Sequence, residues 1–373
     1  MKRILHVVSC LERGGTEAFI MNHYRMIDRT KYQFDFLVFH KKDYPYTEEI
    51  HNLGGRIFFC TPPSVGKIFS SIREMVKCMK TNGPFCAVHS HINIENAWIM
   101  VAAKIAGIPV RVSHSHDTKG KEGTGIIGFY RRIQSLLIKL FANRYAACGI
   151  AAGNYLYGEG LFGKAGYVVH NGIDVSKFQS TSEEEQSKLK REFSIPEEHG
   201  PVIGNITRFE DKKNQTFALE VFRRIVDRYP DAVLLLGGPD GGKLELTKQR
   251  AAKLGLADRV RFIGERNDIP ACLKLIDIYL FPSLYEGLPI ALLEAQAAGC
   301  FCVSSTNVSK EVDMEIGQTA FCDLENGPEQ WEEVIINRAV GHNRPTTEII
   351  QTAFRQKGYD ICWSAGKLIK LYE

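Results

Sequence analysis

Short apolar runs alternate with amphipathic stretches along the whole chain. In the first half the apolar runs are RILHVVS, FDFLVFH, RIFFC, CAVHSH, VRVSHSH, RYAAC and GYVVHNG. In the second half they are VIGNIT, AVLLLGG, VRFIG, IYLFPS and FCVSS. Continuous apolar strands that alternate with helices are typical of parallel sheets covered on both faces. Because the pattern occurs twice, the sequence predicts an α/β protein with two doubly wound, Rossmann-like domains.

A polar segment separates the two halves. It reads STSEEEQSKLKREFSIPEEHG, and a fresh apolar strand begins after it at Val202. We therefore predict one domain over residues 1–178 and a second over 179–353. Ligands of open α/β sheets bind at the carboxyl ends of the strands. Two such domains facing each other would place one ligand site in a central cleft.

Charge is distributed unevenly along the 373 residues. The first 178 residues hold 23 Lys and Arg against 13 Asp and Glu, although the whole chain has a net charge of only +4. Within the basic region 119–144, FYRRIQSLLIKLFANRYA places apolar residues at helical spacing among the bases. This pattern favours either a helix at an anionic membrane surface or a solvated helix packed on its own domain.

The cysteines and the hydropathy pattern indicate where in the cell the protein is located. Ten cysteines are scattered without CxxC pairs, and the N-terminal apolar run is too short for a signal peptide. No apolar run approaches the roughly 20 residues that span a bilayer. These features predict reduced thiols and a cytoplasmic location.

The motif ERGGTE, residues 12–17, follows the first predicted strand and opens a helix. Its glycines, Gly14 and Gly15, would let backbone N–H groups approach a phosphate at the helix N-terminus. The alternative is a tight strand-to-helix turn without a ligand. The motif is not GxGxxG, so a nicotinamide cofactor is not indicated.

Two HSH pairs end neighbouring apolar runs, His89–His91 and His114–His116. Alternate residues of a strand share one face, so the four rings could hold a metal. Against a metal, no Glu or Cys accompanies them at ligand spacing, and each pair ends a separate strand. We expect no metal, a packing role for His89 and His114, and a place near a reacting sugar or phosphate for His116, because a Gly/Lys-rich loop follows it.

The segments TRFEDKKNQ and LYEGLPIALLEAQAAG carry the strongest signal in the second half. Arg208 and Lys213 follow a strand end, where two cations suit a diphosphate. Glu286 lies in a loop before Pro289, and Glu294 lies inside the helix that follows. Carboxylates accept hydrogen bonds from paired hydroxyls, so the two glutamates would hold the rings on either side of the diphosphate. This arrangement predicts a nucleotide-sugar site.

The combination of SLYEGLPIALLEAQAAG, GNITRFEDKKN, VVHNGID and RGGTE resembles the family-four retaining glycosyltransferases, which have the GT-B fold. That family includes transferases of bacterial exopolysaccharide and capsule synthesis. The resemblance runs from residue 4 to about 320 in the family's motif order. It implies that residues 354–373 form a C-terminal helix that crosses back to the first domain.

The resemblance also implies a role for each matching residue. Glu294 would bind the ribose hydroxyls of the donor, and Glu286, with the backbone of Gly287 and Leu288, would hold the transferred sugar. Arg208 and Lys213 would bind the diphosphate and stabilise the departing nucleotide. The remaining expected contacts are Gly14 and Gly15 at the phosphate, His116 near the reacting sugar, and the GERNDI segment with Arg266 at the base.

These expectations define a metal-independent, retaining glycosyltransferase without a cofactor, acting on a nucleotide-diphosphate sugar, most simply a UDP-sugar. The acceptor would be a hydroxyl of a saccharide, lipid-linked at the inner face of the membrane, because the basic surplus falls on the acceptor-side half. Two alternatives remain open, a nucleotide-sugar epimerase of the same architecture and a catalytically silent nucleotide-sugar-binding subunit. No nucleic-acid partner is expected.

Overall fold

A computed structural model describes residues 1–117, 124–286, 288–339 and 343–373. The chain forms two compact units, one made of Met1–Gly172 with Ile361–Glu373 and the other of Ile173–Asp360. Each unit is built on a single parallel sheet, which confirms the predicted α/β class. In the described part of the chain, no helix combines the length and apolar character needed to cross a membrane.

The first unit has a seven-stranded sheet. Its strands are β1 (Lys2–Val7), β2 (Tyr32–Val38), β3 (Ile57–Phe59), β4 (Ala87–Ser90), β5 (Val110–Ser115), β6 (Arg144–Ala147) and β7 (Gly166–Val168). They lie in the order β3-β2-β1-β4-β5-β6-β7, and all pairs are parallel. The central strands are buried on both faces because helices cover both sides.

Helices of this unit follow its strands in alternation. They are α1 (Gly15–Met26), α2 (Thr47–Asn52), α3 (Ile68–Asn82), α4 (Asn96–Ile105), α5 (Gly125–Phe141), α6 (Ile150–Tyr157) and α7 (Glu159–Ala165), with a 3-10 turn at Asn93–Glu95. The buried carboxylate of Asp35 on β2 forms salt bridges with Arg3 on β1 at 2.6 Å and with Arg56, just before β3, at 2.7 Å. Burial raises the pKa of Asp35, but hydrogen bonds from the two arginines outweigh it and leave the pKa below its ordinary value.

The second unit has a six-stranded sheet. Its strands are β8 (Val202–Ile206), β9 (Val233–Gly237), β10 (Val260–Gly264), β11 (Ile278–Phe281), β12 (Phe301–Ser305) and β13 (Thr319–Cys322), in the order β10-β9-β8-β11-β12-β13. The edge strand β13 was not among the strands that the sequence predicts. Only its alternate residues Ala320 and Cys322 are buried, so it lacks the continuous apolar run of its neighbours.

Helices of the second unit also alternate with its strands. They are α8 (Val175–Gln179), α9 (Glu183–Glu192), α10 (Gln215–Arg228), α11 (Leu244–Lys253), α12 (Ile269–Leu275), α13 (Ile290–Ala298), α14 (Gly327–Val334) and α15 (Thr347–Gln356). Short 3-10 turns lie at Asp211–Lys213 and Lys310–Val312, and a π-helical turn lies at Ile335–Ala339.

The last helix, α16 (Ile361–Lys370), belongs to the first unit. It packs along α1, where Nε2 of His23 lies 2.8 Å from the Ser364 hydroxyl. Beyond the helix, the hydroxyl of Tyr372 lies 2.7 Å from Nδ1 of His89 on β4. The C-terminal segment is therefore an integral part of the first unit's core.

Candidate active site

The predicted phosphate and sugar residues lie at the carboxyl ends of two neighbouring strands. Strand β11 pairs directly with β8, with Ile278 opposite Ile203. Arg208 follows β8, and Lys213 closes the 3-10 turn after it. Glu286 follows β11. The sheet order therefore brings together side chains that are more than 70 positions apart in the sequence.

Backbone hydrogen bonds tie these loops to one another. Leu284 N–H donates to the carbonyl of Lys212 at 2.8 Å, which joins the loop after β11 to the loop after β8. On the other side, Phe209 N–H donates to the carbonyl of Pro239 at 3.0 Å, which joins the loops after β8 and β9. The loops therefore continue the pairing of the strands beyond the sheet edge.

A glycine allows the closest of these approaches. Gly238 has φ +127°, and a Cβ there would lie 2.2 Å from the Thr207 carbonyl oxygen. A side chain at this position would therefore strain the backbone and collide with a neighbouring strand end. Its conformation keeps the β8 and β9 loops close beside Arg208.

Lys213 and Glu286 form a direct ion pair between the two loops. Both side chains are 13% exposed, and Lys212 Nζ lies 3.8 Å from the same carboxylate. Lys213 Nζ also lies 5.2 Å from the Phe281 ring centroid, within the range of a cation–π contact. The resemblance assigns this lysine and this glutamate to different parts of a ligand, whereas in the structure they form an ion pair with each other.

Glu294 has a different environment on α13. Its neighbours Leu292, Leu293 and Ala295 are fully buried, and the carboxylate itself is partly buried. No described residue donates a hydrogen bond to Glu294 or forms an ion pair with it. Burial raises the pKa of Glu294 to about 7. A carboxylate held in this way is a ready acceptor for ligand hydroxyls, since a ligand would supply the hydrogen bonds that the protein does not.

The first turn of α13 has no side-chain cap. The residue before it, Pro289, has φ −70° and provides no side-chain cap for the first N–H groups of the helix. Such a helix end favours an anion or a hydrogen-bond acceptor. Leu288 beside it is buried, whereas Gly287, also expected at this turn, lies outside the described residues.

Arg266 follows β10, in the segment expected to read the base. Its guanidinium binds Asp268 at 2.6 and 2.8 Å and also pairs with Glu192 on α9. The hydrogen bonds that Arg266 donates to Asp268 and then to Glu192 raise the pKa of the arginine. The two carboxylates therefore hold this side chain in place, which favours the backbone of the segment over the guanidinium as the base contact.

The glycine pair of the first unit lies where the sequence predicts, at the start of α1. Gly14 is the residue before the helix, and Gly15 is its first residue. The carboxylate of Glu17 lies next to Gly14, because a Cβ on this glycine would be 2.5 Å from Glu17 Oε2. No motif in the sequence indicates a role for Glu17, and in the structure its negative charge lies at the positive end of the helix.

The histidine pairs come together in the first unit. Strands β4 and β5 are neighbours, so their separation in sequence does not separate the pairs in space. His91 Nδ1 lies 2.9 Å from His116 Nε2, and His89 Nε2 lies 2.9 Å from His114 Nδ1. The fifth ring, His6 on β1, has no motif around it and was not found from the sequence. Among the residues that the structure describes, two sets of three rings have nitrogens close enough to hold a metal ion, His6–His89–His91 and His91–His114–His116.

Two parallel-sheet units in one chain, with a cation–carboxylate site at the strand ends of the second, define the class of GT-B enzymes. The comparisons with known proteins place the chain more narrowly. The family model "Glycosyl transferases group 1" matches residues 186–333. The chain is 36% identical, over its full length and 96% of the relative, to the "Putative glycosyltransferase EpsF" of Bacillus subtilis. The chain belongs to the group 1 glycosyltransferases, which confirms the resemblance seen in the sequence.

Two further proteins are similar to most of the chain. One is the "UDP-Gal:alpha-D-GlcNAc-diphosphoundecaprenol alpha-1,3-galactosyltransferase" of Escherichia coli, 26% identical over 81% of this chain and 79% of that one. The other is Anabaena HepE, whose crystal structure is a complex with UDP-glucose. It covers 99% of both chains with a TM-score of 0.80 at 18% identity, which supports the shared fold.

Proposed function

We propose that this protein is a retaining, metal-independent glycosyltransferase that moves a sugar from a UDP-sugar to a hydroxyl of a lipid-linked saccharide. The observations that carry the proposal are the Lys213–Glu286 ion pair and, on the helix that follows, the carboxylate of Glu294, which has no hydrogen-bond partner among the described residues. The similarity to HepE and to the Escherichia coli galactosyltransferase supports the choice of donor. The second relative also supports a lipid-linked acceptor. Membership of a family that includes transferases of exopolysaccharide and capsule synthesis supports that role for this protein.

Donor binding would rearrange the charges of the site. The diphosphate takes Lys213, with Arg208 as the second cation, and this releases the carboxylate of Glu286. The released carboxylate accepts hydrogen bonds from the sugar, while Glu294 accepts them from the ribose. No carboxylate then faces the phosphates, and each charge that the donor displaces gains a new partner.

After this rearrangement the two cations are placed to stabilise the leaving group of the transfer reaction. The bond between the anomeric carbon and the diphosphate oxygen breaks, and the negative charge that develops on that oxygen is stabilised by the two cations. The acceptor oxygen bonds to the anomeric carbon from the same face, and its proton passes to the departing phosphate oxygen. Glu286 is not the nucleophile in this scheme, although paired carboxylates in other glycosyl-transferring sites act so.

The acceptor side would use the surface of α5. This helix exposes Ile126 to 88%, Phe129 to 65% and Leu140 to 63%, and it carries Arg131 and Arg132 among them. Apolar side chains that alternate with bases favour an anionic membrane surface, where a lipid-linked saccharide would be found. Lys119 and Lys121 of the same basic region lie outside the described residues.

Co-sedimentation with liposomes tests this surface. We expect binding to vesicles with anionic lipid and a loss of binding when Arg131 and Arg132 are both replaced by alanine. The matched control is the double replacement of Arg223 and Arg228 on α10 of the second unit, which removes the same charge. Equal binding to neutral and anionic vesicles, unchanged in the α5 variant, would exclude the membrane role.

Transfer itself is tested with a panel of UDP-sugars and undecaprenyl-diphosphate saccharides in the presence of EDTA. We expect UDP release only when both donor and acceptor are present, and a product whose anomeric configuration by NMR equals that of the donor. Conversion of the donor without an acceptor would instead indicate the epimerase. Tight donor binding with no release in any mixture would indicate the silent binding subunit.

A further inference from the structure

Five histidines of the first unit, His6, His89, His91, His114 and His116, form part of one continuous line of hydrogen bonds. At one end, His116 Nε2 lies 2.9 Å from His91 Nδ1, and His91 Nε2 lies 3.0 Å from His6 Nδ1. Each ring in this arm uses one nitrogen toward each neighbour. The other nitrogen of His116, Nδ1, has no partner among the described residues, and His116 is the one ring of this arm that is not fully buried.

The other arm continues through the C-terminal tyrosine. The Tyr372 hydroxyl lies 3.5 Å from His6 Nε2 and 2.7 Å from His89 Nδ1. His89 Nε2 then lies 2.9 Å from His114 Nδ1. The line ends there, because His114 Nε2 is buried without a hydrogen-bond partner among the described residues.

The rings of this line are neutral. Burial lowers the pKa of His6 and of His116 to about 3, and it also holds the pKa of His89, His91 and His114 well below the ordinary value. A neutral imidazole has one donor and one acceptor nitrogen. A ring that donates to one neighbour must therefore accept from the other. The Tyr372 hydroxyl has one proton, and if it accepted from both arms this buried proton would have no acceptor among the described residues, so the hydroxyl donates to one arm and accepts from the other. Two orders of the protons along the line then remain.

The buried end of the line distinguishes the two orders. If every ring carries its proton on Nε2, a buried N–H of His114 is left without an acceptor. If every ring carries it on Nδ1, only a lone pair is left unsatisfied. Unpaired buried N–H groups are the rarer and costlier of the two in folded proteins. The Nδ1 order is therefore favoured, and it leaves an N–H on Nδ1 of His116.

We propose that this line of rings fixes the tautomer of His116, so that its Nδ1 serves as a neutral hydrogen-bond donor to a ligand oxygen and not as a proton acceptor. The proposal rests on the proposed function for the identity of the ligand. His6, His89, His91, His114 and Tyr372 are positioning residues, since they act on the ligand only through His116. Each of them stabilises one tautomer by the hydrogen bond that it makes to the next.

Metal binding is the competing use of the same rings. A metal would need lone pairs that converge on one point, whereas here the nitrogens of neighbouring rings already face each other at hydrogen-bond distance. Elemental analysis of the purified protein distinguishes the two. A stoichiometric zinc or other transition metal that disappears in the variant His91→Gln would overturn the proposal.

The tautomers can be read directly from ¹⁵N-labelled histidine by NMR, with no substrate present. We expect Nδ1 of His116 to have the shift of a protonated nitrogen, and Nε2 of His114 that of an unprotonated one. The variant Tyr372→Phe removes the hydroxyl that joins the arms, so the His116 shifts should move toward those of a tautomer mixture. The control is Tyr157→Phe, which removes another buried hydroxyl of this unit, one that bonds the Ser113 and Ala146 carbonyls.

Kinetics test the donor role of His116. An asparagine amide can occupy the place of Nδ1, whereas a glutamine amide reaches the place of Nε2. We therefore expect His116→Asn to keep most of the turnover and His116→Gln to lose about 100-fold, the effect of removing one directed donor. The reverse order, or an unprotonated Nδ1 in the spectrum, would overturn the proposal. Absence of transfer in the wild type would count against the proposed function alone, because the spectrum does not depend on it.

Discussion

Replacing Glu294 by glutamine should stabilise the unliganded second unit and weaken nucleotide binding at the same time. The carboxylate is partly buried on α13 without a hydrogen-bond partner among the described residues. Burial raises its pKa from 4.5 to about 7. A glutamine of the same size removes the charge that causes this penalty and keeps the shape of the side chain.

The pH dependence follows from the direction of the shift. Below about pH 4.5 Glu294 is protonated in both the folded and the unfolded state, so it contributes no difference. As the pH rises toward 7, the unfolded chain loses this proton first, and the free energy of unfolding falls. A rise in pKa of this size corresponds to at most about 3 kcal/mol. The gain from Glu294→Gln should therefore be absent near pH 4 and complete near pH 8.

Binding should change in the opposite direction. A hydrogen bond to a charged group contributes about 1.5–3 kcal/mol, so the Kd for UDP should increase about 10- to 100-fold at pH 8. Calorimetric titration with UDP measures the affinity. Urea unfolding, followed by fluorescence in a background where the buried Trp331 is the sole tryptophan, measures the stability of the unit that contains Glu294.

A matched control is available in the same unit. Glu245 on α11 is an exposed helix glutamate, and its replacement by glutamine should change neither quantity. If Glu294→Gln left both the unfolding free energy at pH 8 and the affinity for UDP unchanged, the reasoning would be refuted. A gain in stability without a loss of affinity would retain the burial argument and remove Glu294 from the ligand site.

Three further substitutions test other parts of the molecule. Lys213→Ala should lower kcat about 100-fold, because leaving-group stabilisation arises in the transition state, while Lys212→Ala, its neighbour, should change kcat little in the same steady-state assay. Asp35→Asn should destabilise the first unit by about 3 kcal/mol in urea unfolding, because two arginines lose their buried partner. The stabilising effect of Asp35 is full above its ordinary pKa of 3.8 and is lost as the pH falls through its lower folded pKa. The difference in unfolding free energy between the wild type and Asp35→Asn should therefore shrink in acid. Gly238→Ala should lower the melting temperature and UDP affinity together, since the added Cβ collides with a carbonyl oxygen at 2.2 Å; unchanged values would show that the loops adapt without cost.

The sequence predicts well what depends on local pattern. Runs such as IYLFPS identify strands, and the turn that follows identifies Glu286 as a loop residue at a strand end. The family could also be recognised, because its motifs are short and contiguous. The strand β13 was missed since it is a half-exposed edge strand whose apolar positions alternate.

Side-chain contacts between neighbouring strands could not be predicted from the sequence. Nothing near Lys213 shows that its partner is Glu286, 73 positions away, because that contact depends on β8 and β11 being neighbours. The histidine line depends likewise on the order of β1, β4 and β5, and it closes only through a tyrosine at the other end of the chain. Such contacts follow from the order of the strands in the sheet, and a single sequence does not show that order.

The backbone ties between the loops of the second unit have a consequence for the evolution of this enzyme. The bonds from Leu284 to the Lys212 carbonyl and from Phe209 to the Pro239 carbonyl use only main-chain atoms. Apart from Gly238, where a side chain would collide with Thr207, these backbone bonds do not require particular side chains in the loops. Duplicated copies of such a gene could exchange individual side chains and acquire new sugars stepwise, without passing through an unfolded intermediate. For protein engineering, the same separation makes these loop positions a sound choice for a library of altered donor preference.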